Sequence, residues 1–251
     1  MNSPARLAGA LAAMAPDLRR RTLGGAPEHA AIWVRAAADC GLAEGQLRLG
    51  RMLLEGRGMT KAPSAALAWF RRAAATGVAD AVNMVGRCLE NGWGAPVDLA
   101  GAARCYRQAA ETGHDWAQYN LGHLHLNGLG VARDAALALA WYRRAANQGH
   151  SRAMNLVARC LEQGWGADAD PDTARDWYRR SAEGGYFRGQ FNYGLILADE
   201  GRTGDSAVWL AAALAAATAP SRETMIRALR DRPEPALSVL AGADREFGPC
   251  S

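Results

Sequence analysis

Glycine returns on a fixed grid through most of this chain. Gly50, Gly86, Gly122 and Gly194 sit on a step of 36 residues, with Ala158 in the one slot that glycine skips. The pairs Gly56/Gly58, Gly92/Gly94, Gly128/Gly130 and Gly164/Gly166 keep the same step, and so do Gly41, Gly77, Gly113, Gly149 and Gly185. Trp33, Trp69, Trp141 and Trp177 follow it too, with Cys105 in the slot between. Several residue classes sharing one period of this length point to an array of small units stacked in a row. A unit of 36 residues cannot bury its apolar face alone, so its stability must come from its neighbours.

Inside one period, apolar spacing predicts two helices. Across 79–114, Ala81, Val85, Cys88 and Leu89 recur at three, four or seven residues, which is one face of a helix. Gly92 and Gly94 end that helix by admitting left-handed backbone. Asp98 is placed to cap the second helix, as Asp134 and Asp170 are in their periods. Ala102, Cys105, Tyr106, Ala109 and Ala110 form the second apolar stripe, which Gly113 stops. The small residues Ala102, Ala138 and Ala174 let helices approach closely, while Trp/Tyr pairs fill the gaps between units. No stretch shows the alternation of a strand, so the expected fold class is all-α.

Segments such as AQYNLGHLHLNGLGVARDAALALAWYRRAANQGH (117–150) resemble the Sel-1-like repeat, a relative of the tetratricopeptide repeat. The resemblance rests on A-x-x-x-L-G in the first helix, G-x-G-V-x-x-D in the loop and A-x-x-W-Y-R-R-A-A-x-x-G in the second helix. It implies a right-handed α/α superhelix, a solenoid of 36-residue helix-turn-helix units, whose first helices line a concave face used mostly to bind other proteins. The array is expected over 28–218: a lone second helix around Trp33, four full units (43–78, 79–114, 115–150, 151–186) and a fifth that lacks the glycine loop. Residues 1–27 are expected to form an N-terminal segment with a capping helix over 5–21. Residues 219–251 are read as a C-terminal capping helix and tail, with Ser221 as N-cap and Met225, Ile226 and Leu229 as the apolar face.

The second and fourth units are more alike than the rest. GRCLENGWGA (86–95) and ARCLEQGWGA (158–167) lie 72 positions apart, and the matches not shared with the third unit are Asn83/Asn155, Arg87/Arg159, Cys88/Cys160, Glu90/Glu162 and Trp93/Trp165. Duplication of a two-unit block explains this without any function. A sharper reading places Asn83, Arg87 and Glu90 at i, i+4 and i+7, a polar stripe turned away from the apolar one. The same stripe elsewhere carries Leu47/Arg51, Tyr119/His123 and Phe191/Leu195, and the helix starts carry Glu44, Asp80, Trp116, Arg152 and Arg188.

The expected partner-binding residues are therefore Asn83, Arg87, Asn155 and Arg159 for carboxylates, Trp116, Tyr119 and His123 as an apolar and aromatic anchor, and Arg51, Arg152 and Arg188 as further groove residues. The arrangement is similar to the carboxylate-clamping grooves of tetratricopeptide relatives, but it has no lysine and adds Glu90 and Glu162. A plainer alternative pairs Arg87 with Glu90 and Arg159 with Glu162 at i, i+3.

The expected function is a non-enzymatic scaffold or adaptor that binds a protein or peptide partner, with an acidic partner in view and no cofactor. The alternative is a binder of nucleic acid or anionic surfaces through the second-helix arginines Arg71–Arg72, Arg107, Arg143–Arg144 and Arg179–Arg180. A net charge of +4 on 29 basic and 25 acidic residues is too modest to make nucleic acid the leading partner. A remote alternative is β-lactamase-like activity, attributed to some relatives of the family. Lys61 is the only lysine and S-x-x-K is absent, which leaves that chemistry without a carrier.

The glycine loops follow helices rather than strands and so do not read as phosphate loops. His123 and His125 stand two apart, on different helix faces, and are not expected to share a metal. His114 and His150 share one repeat position and are read as packing or solvent residues. Cys40, Cys88, Cys105, Cys160 and Cys250 are odd in number and lack C-x-x-C spacing, so they are read as free thiols. No apolar run is long enough to span a membrane. The N-terminus sketches a secretory signal ending near Ala13–Ala15, yet Arg19, Arg20 and Arg21 follow at once. The expected compartment is cytoplasmic, with export as the alternative.

Overall fold

The structure, a computed structural model, describes residues 26–230 together with Arg6, Gly9, Ala10 and Arg232. Apart from those isolated positions, the capping helix expected over 5–21 and the tail with Cys250 lie outside the described residues. Between residues 26 and 230 all regular structure is helical. The helices are α1 (Pro27–Asp39), α2 (Ala43–Glu55), α3 (Pro63–Ala74), α4 (Ala79–Asn91), α5 (Leu99–Glu111) and α6 (Asp115–Asn127). They continue as α7 (Ala135–Asn147), α8 (Ser151–Gln163), α9 (Pro171–Glu183), α10 (Phe187–Asp199), α11 (Thr203–Ala216) and α12 (Ala219–Arg230).

The chain divides into two compact units, Met1–Arg133 and Asp134–Ser251. In the first, α2 pairs with α3 and α4 with α5 as hairpins, while α1 packs on α2, α3 on α4 and α5 on α6. In the second, α8 pairs with α9 and α10 with α11; α7 packs on α8, α9 on α10 and α12 on α11, and α8 also touches α10. Both units are repeats of one hairpin, an all-α repeat fold.

The glycine of the first helix has a specific job. A Cβ at Gly86 would stand 2.7 Å from the Tyr106 ring, and one at Gly50 would crowd Phe70 in the same way. Tyr106 and Phe70 are fully buried. The missing side chain thus makes the slot into which the second helix inserts its ring. Where Ala158 replaces glycine, it shares a buried cluster with Tyr178. Burying a ring of this size contributes roughly 2–3 kcal/mol, which makes this crossing a principal contact of the α2–α3 and α4–α5 hairpins.

The loop is held from both ends. Gly92 is left-handed at φ 70°, and its N–H and that of Trp93 both donate to the Cys88 carbonyl. The Asp98 N–H donates to the Leu89 carbonyl at 2.9 Å while its carboxylate accepts the Gly101 N–H at 2.7 Å, so one residue joins the two helices. Asp170 repeats this with Leu161 and Thr173; the hydrogen bonds from Thr173 hold its carboxyl below the usual carboxylate range. Asp134 caps through the Leu137 N–H. The first loop keeps only half of the device, because Ala62 donates to Leu53 but has no capping side chain. The second loop glycine touches the preceding repeat: a Cβ on Gly94 would run into the Pro63 carbonyl at the start of α3, and one on Gly166 into that of Ala135 at the start of α7.

At the far end α12 begins at Ala219, two residues before the expected cap. Ser221 therefore lies in the first turn, its hydroxyl accepting from Thr218 at 3.1 Å. The expected apolar face holds: Met225, Ile226 and Leu229 are buried in one cluster with Leu210 and Ala213. Arg222 crosses to donate to the last carbonyls of α11, Leu214 at 2.8 Å and Ala217 at 3.3 Å. No helix among the described residues is long and apolar enough to cross a membrane.

Two glycines separate backbone geometry from packing. Gly77→Ala, at φ 85° in open space, is expected to cost about 1 kcal/mol. Gly94→Ala, at φ 81° against the Pro63 carbonyl, should cost about 2 kcal/mol more. Urea unfolding of the two variants checks the difference.

Candidate functional site

Each first helix repeats three slots along the stripe: a start slot (Glu44, Asp80, Trp116, Arg152, Arg188), a middle slot (Leu47, Asn83, Tyr119, Asn155, Phe191) and a late slot (Arg51, Arg87, His123, Arg159, Leu195). The slots read differently in the two units. In the first unit, Arg51 on α2 reaches Asp80 on α4 at 2.6 Å. The Nε2 of His114 stands 3.8 Å from the other Asp80 oxygen. His114 is the N-cap of α6: its Nδ1 accepts the Ala117 N–H at 3.1 Å, which places the ring proton on Nε2, facing the carboxylate. His114 and Arg51 together hold the Asp80 carboxyl at about 2, against the opposing effect of its burial. Arg51 is thus committed to a carboxylate of its own chain.

The middle slot explains the duplicated stretches. Asn83 and Asn155 are only 4% and 6% exposed. The Oδ1 of Asn83 accepts from Nδ2 of Asn120 on α6, and that of Asn155 accepts from Nδ2 of Asn192 on α10, both at 3.0 Å. Each pair joins neighbouring first helices, so these asparagines face the next hairpin rather than open solvent. Glu90 and Glu162 are also engaged, by hydroxyls reaching across the hairpin from Tyr106 at 2.6 Å and Tyr178 at 3.0 Å. Burial, with the carboxylate beside it, raises the pKa of both hydroxyls well above the ordinary tyrosine value. The i, i+3 Arg–Glu pairing is therefore not what these residues do. The matching sequences write matching internal contacts.

The arginines of that stretch rest on rings. Arg87 lies 5.3 Å over Trp93 and Arg159 lies 5.2 Å over Trp165, both arginines exposed. Trp116 is 42% exposed and meets Tyr119 edge to face at 6.0 Å, with exposed His123 one helical turn further along α6. In the second unit, Arg152 lies 5.6 Å over Tyr186 and Arg188 lies 5.8 Å over Phe187. Of the ten residues expected from the sequence, the structure thus places Arg51, Asn83, Arg87, Trp116, Tyr119 and His123 on first helices of one unit, and Arg152, Asn155, Arg159 and Arg188 on those of the other.

Four stretches, 43–78, 79–114, 117–150 and 151–186, match the Sel1 repeat model and cover more than half of the chain. The chain belongs to the Sel1 repeat family. A Sel1 repeat protein from Oxalobacter formigenes is 29% identical with a TM-score of 0.72, over 84% of this chain and 85% of that one. A protective antigen of uropathogenic Escherichia coli strains, displaying an SLR fold, is 26% identical with a TM-score of 0.70, over 91% of this chain. This chain spans 53%, about half, of that antigen's length. An immunity protein from Pseudomonas aeruginosa, at 18% identity and a TM-score of 0.52 over 98% of this chain and 87% of that one, shares the fold. No curated protein matches. Sel1 repeat proteins are generally non-catalytic scaffolds for protein–protein interaction.

Other side chains of this Sel1 protein have structural work. His114 and His150 are helix N-caps, not general packing residues; the Nδ1 of His150 accepts the Ala153 N–H at 3.1 Å. Their place immediately before a helix was the available signal, obscured because the usual caps are Ser, Thr, Asp and Asn. His125 is buried, with Nδ1 3.4 Å from the Ala132 carbonyl, while His123 faces solvent. Cys88 and Cys160 are buried free thiols that burial pushes up to about 11. On the second helices, Arg72, Arg144 and Arg180 stack on Trp69, Trp141 and Trp177 three residues earlier, at 4.5, 4.5 and 4.1 Å. The expected basic ridge is thus partly a row of arginines laid on indoles.

Asp80 sets a pH dependence. Its pKa is about 2 in the folded chain, against the usual 3.8, so the stability it supplies is complete above about pH 4 and is lost as pH falls toward 2. Because the pair is partly exposed, Asp80→Asn is expected to cost only about 1 kcal/mol at neutral pH. The gap from wild type should close between about pH 4 and pH 2 in chemical denaturation.

Proposed function

We propose that this Sel1 protein is a non-catalytic scaffold that holds a protein or peptide partner on the faces of its first helices. The observation that carries the reading is the aromatic patch of Trp116 and Tyr119 beside His123. Trp116 is the one first-helix start slot filled by a large apolar side chain, and 42% of it remains exposed, whereas the other described tryptophans are half-buried or buried. A half-exposed indole braced by a second ring is the usual anchor of a protein interface. Arg87, stacked on Trp93 one hairpin earlier in the same unit, would add a carboxylate contact at its rim.

Asn83 and Asn155 enter this reading as positioning residues. With Oδ1 held by the next hairpin, each keeps its neighbouring first helices in register. The second-helix arginines support a nucleic-acid reading less well, because the indoles beneath them already account for Arg72, Arg144 and Arg180. The buried free thiols of Cys88 and Cys160 support a reducing compartment.

The test is affinity capture from the native cell with wild-type and Trp116→Ala full-length baits. Loss of an exposed aromatic anchor should weaken the captured partner by about 2 kcal/mol, roughly thirtyfold, with the melting temperature almost unmoved. Binding should persist at high salt, where phosphate contacts fail. Equal capture by both baits, or recovery of nucleic acid that high salt removes, would overturn the proposal.

A further inference from the structure

The first helices of the second unit differ from those of the first in one charged position. In the first unit the start slot is acidic on α2 and α4, Glu44 and Asp80, where a negative charge suits the helix dipole. In the second unit the same slot is arginine on both α8 and α10, Arg152 and Arg188. Cations there oppose the dipole, and aromatic rings hold them instead. Arg152 lies 5.6 Å over Tyr186, Tyr186 lies 5.2 Å from Phe187, and Arg188 lies 5.8 Å over Phe187. The two helix starts are joined by one continuous strip of cation, ring, ring and cation.

A third arginine extends the strip. Arg159 stands seven residues beyond Arg152 on the same stripe of α8, 5.2 Å over Trp165. A guanidinium held beside a ring carries its N–H donors in a planar fork, the geometry that a carboxylate accepts. Holding the fork in advance lowers the ordering cost of binding. Two acids on these helices are already engaged: Glu162 accepts from Tyr178, and Asp199 is paired with Arg232. Beside the cationic stripe, α10 carries Phe191 in the middle slot and half-buried Leu195 in the late slot.

Resting on the scaffold reading above, we infer that the first-helix face of the second unit docks an extended acidic peptide segment. One carboxylate sits at the Arg152–Arg188 strip and a second at Arg159. The two arginines are roughly 10 Å apart along the helix, which matches residues i and i+3 of a polyproline-type chain, whose side chains share a face. An apolar residue between them falls toward Leu195. The recognised chemistry is a pair of carboxylates at three-residue spacing with an apolar side chain between.

The experiment is fluorescence anisotropy on the full-length chain. The probe is a labelled synthetic peptide with Glu at every third position and Pro and Leu between. A Gln-for-Glu peptide and a single-stranded oligonucleotide of equal charge serve as competitors. The Glu peptide is expected to bind and the Gln peptide to fail. Arg152→Gln with Arg188→Gln, and separately Arg159→Gln, should each weaken binding about tenfold. Arg152→Lys with Arg188→Lys should lose part of that, because lysine keeps the charge without the planar fork. Arg72→Gln with Arg144→Gln should change nothing, and all these exposed sites should leave the circular-dichroism melt intact.

No binding of the Glu peptide, equal binding of the Gln peptide, equal competition by the oligonucleotide, or unchanged affinity in the second-unit variants would each overturn the inference. If those variants bind normally while Trp116→Ala weakens the peptide, the inference fails and the scaffold reading stands.

Discussion

A helix of thirteen residues is marginal in water, because nucleating it orders several residues before the first hydrogen bond forms. Every first helix here therefore depends on its crossing with the second, and in α2 and α4 that crossing is made by an absent side chain. Gly86 leaves the space that Tyr106 fills, and Gly50 the space that Phe70 fills. Once the ring is seated, the loop has little freedom left. Gly92 turns the chain, Asp98 joins the ends of both helices, and Gly94 brings the backbone against the start of the preceding second helix. Stacking one hairpin on the next follows from the same 36-residue grid that closes each hairpin.

On this frame the polar groups sort by what they join. Tyr106–Glu90 and Tyr178–Glu162 bridge the two helices of a hairpin, and Asn120–Asn83 and Asn192–Asn155 bridge adjacent hairpins. The second and fourth periods share both kinds of contact. Leu126 stands where Glu90 and Glu162 stand, and Leu54 takes that place opposite Phe70, which has no hydroxyl to satisfy. A buried hydroxyl without its acceptor costs more than an apolar pair of the same shape, and Leu54 with Phe70 is such an apolar pair.

The chemistry exposed on the first-helix faces differs between the two units. In the first unit that is chiefly aromatic, Trp116 against Tyr119, because Arg51 is committed to Asp80. In the second it is cationic, with Arg152, Arg159 and Arg188 each laid on a ring. The family connection supplies the general role of an interaction scaffold, and the proposed partner chemistry rests on these differences between equivalent slots.

The sequence by itself determined the all-α repeat class, the two helices per period, the Asp98, Asp134 and Asp170 caps and the apolar face of α12. Each of these is a local matter of spacing and backbone preference, legible without knowing what lies opposite. It could not say where polar side chains of the first helix would turn. Asn83 and Glu90 share a stripe with Arg87, yet the first two are engaged by Asn120 and Tyr106 while Arg87 lies on Trp93. His114 likewise shows its two roles, as a cap and as a partner of Asp80, only when α4 and α6 stand side by side. Periodicity fixes the face of a helix on which a side chain lies. Whether that face meets a neighbour or water depends on residues 16 to 37 positions away, which only packing brings within reach.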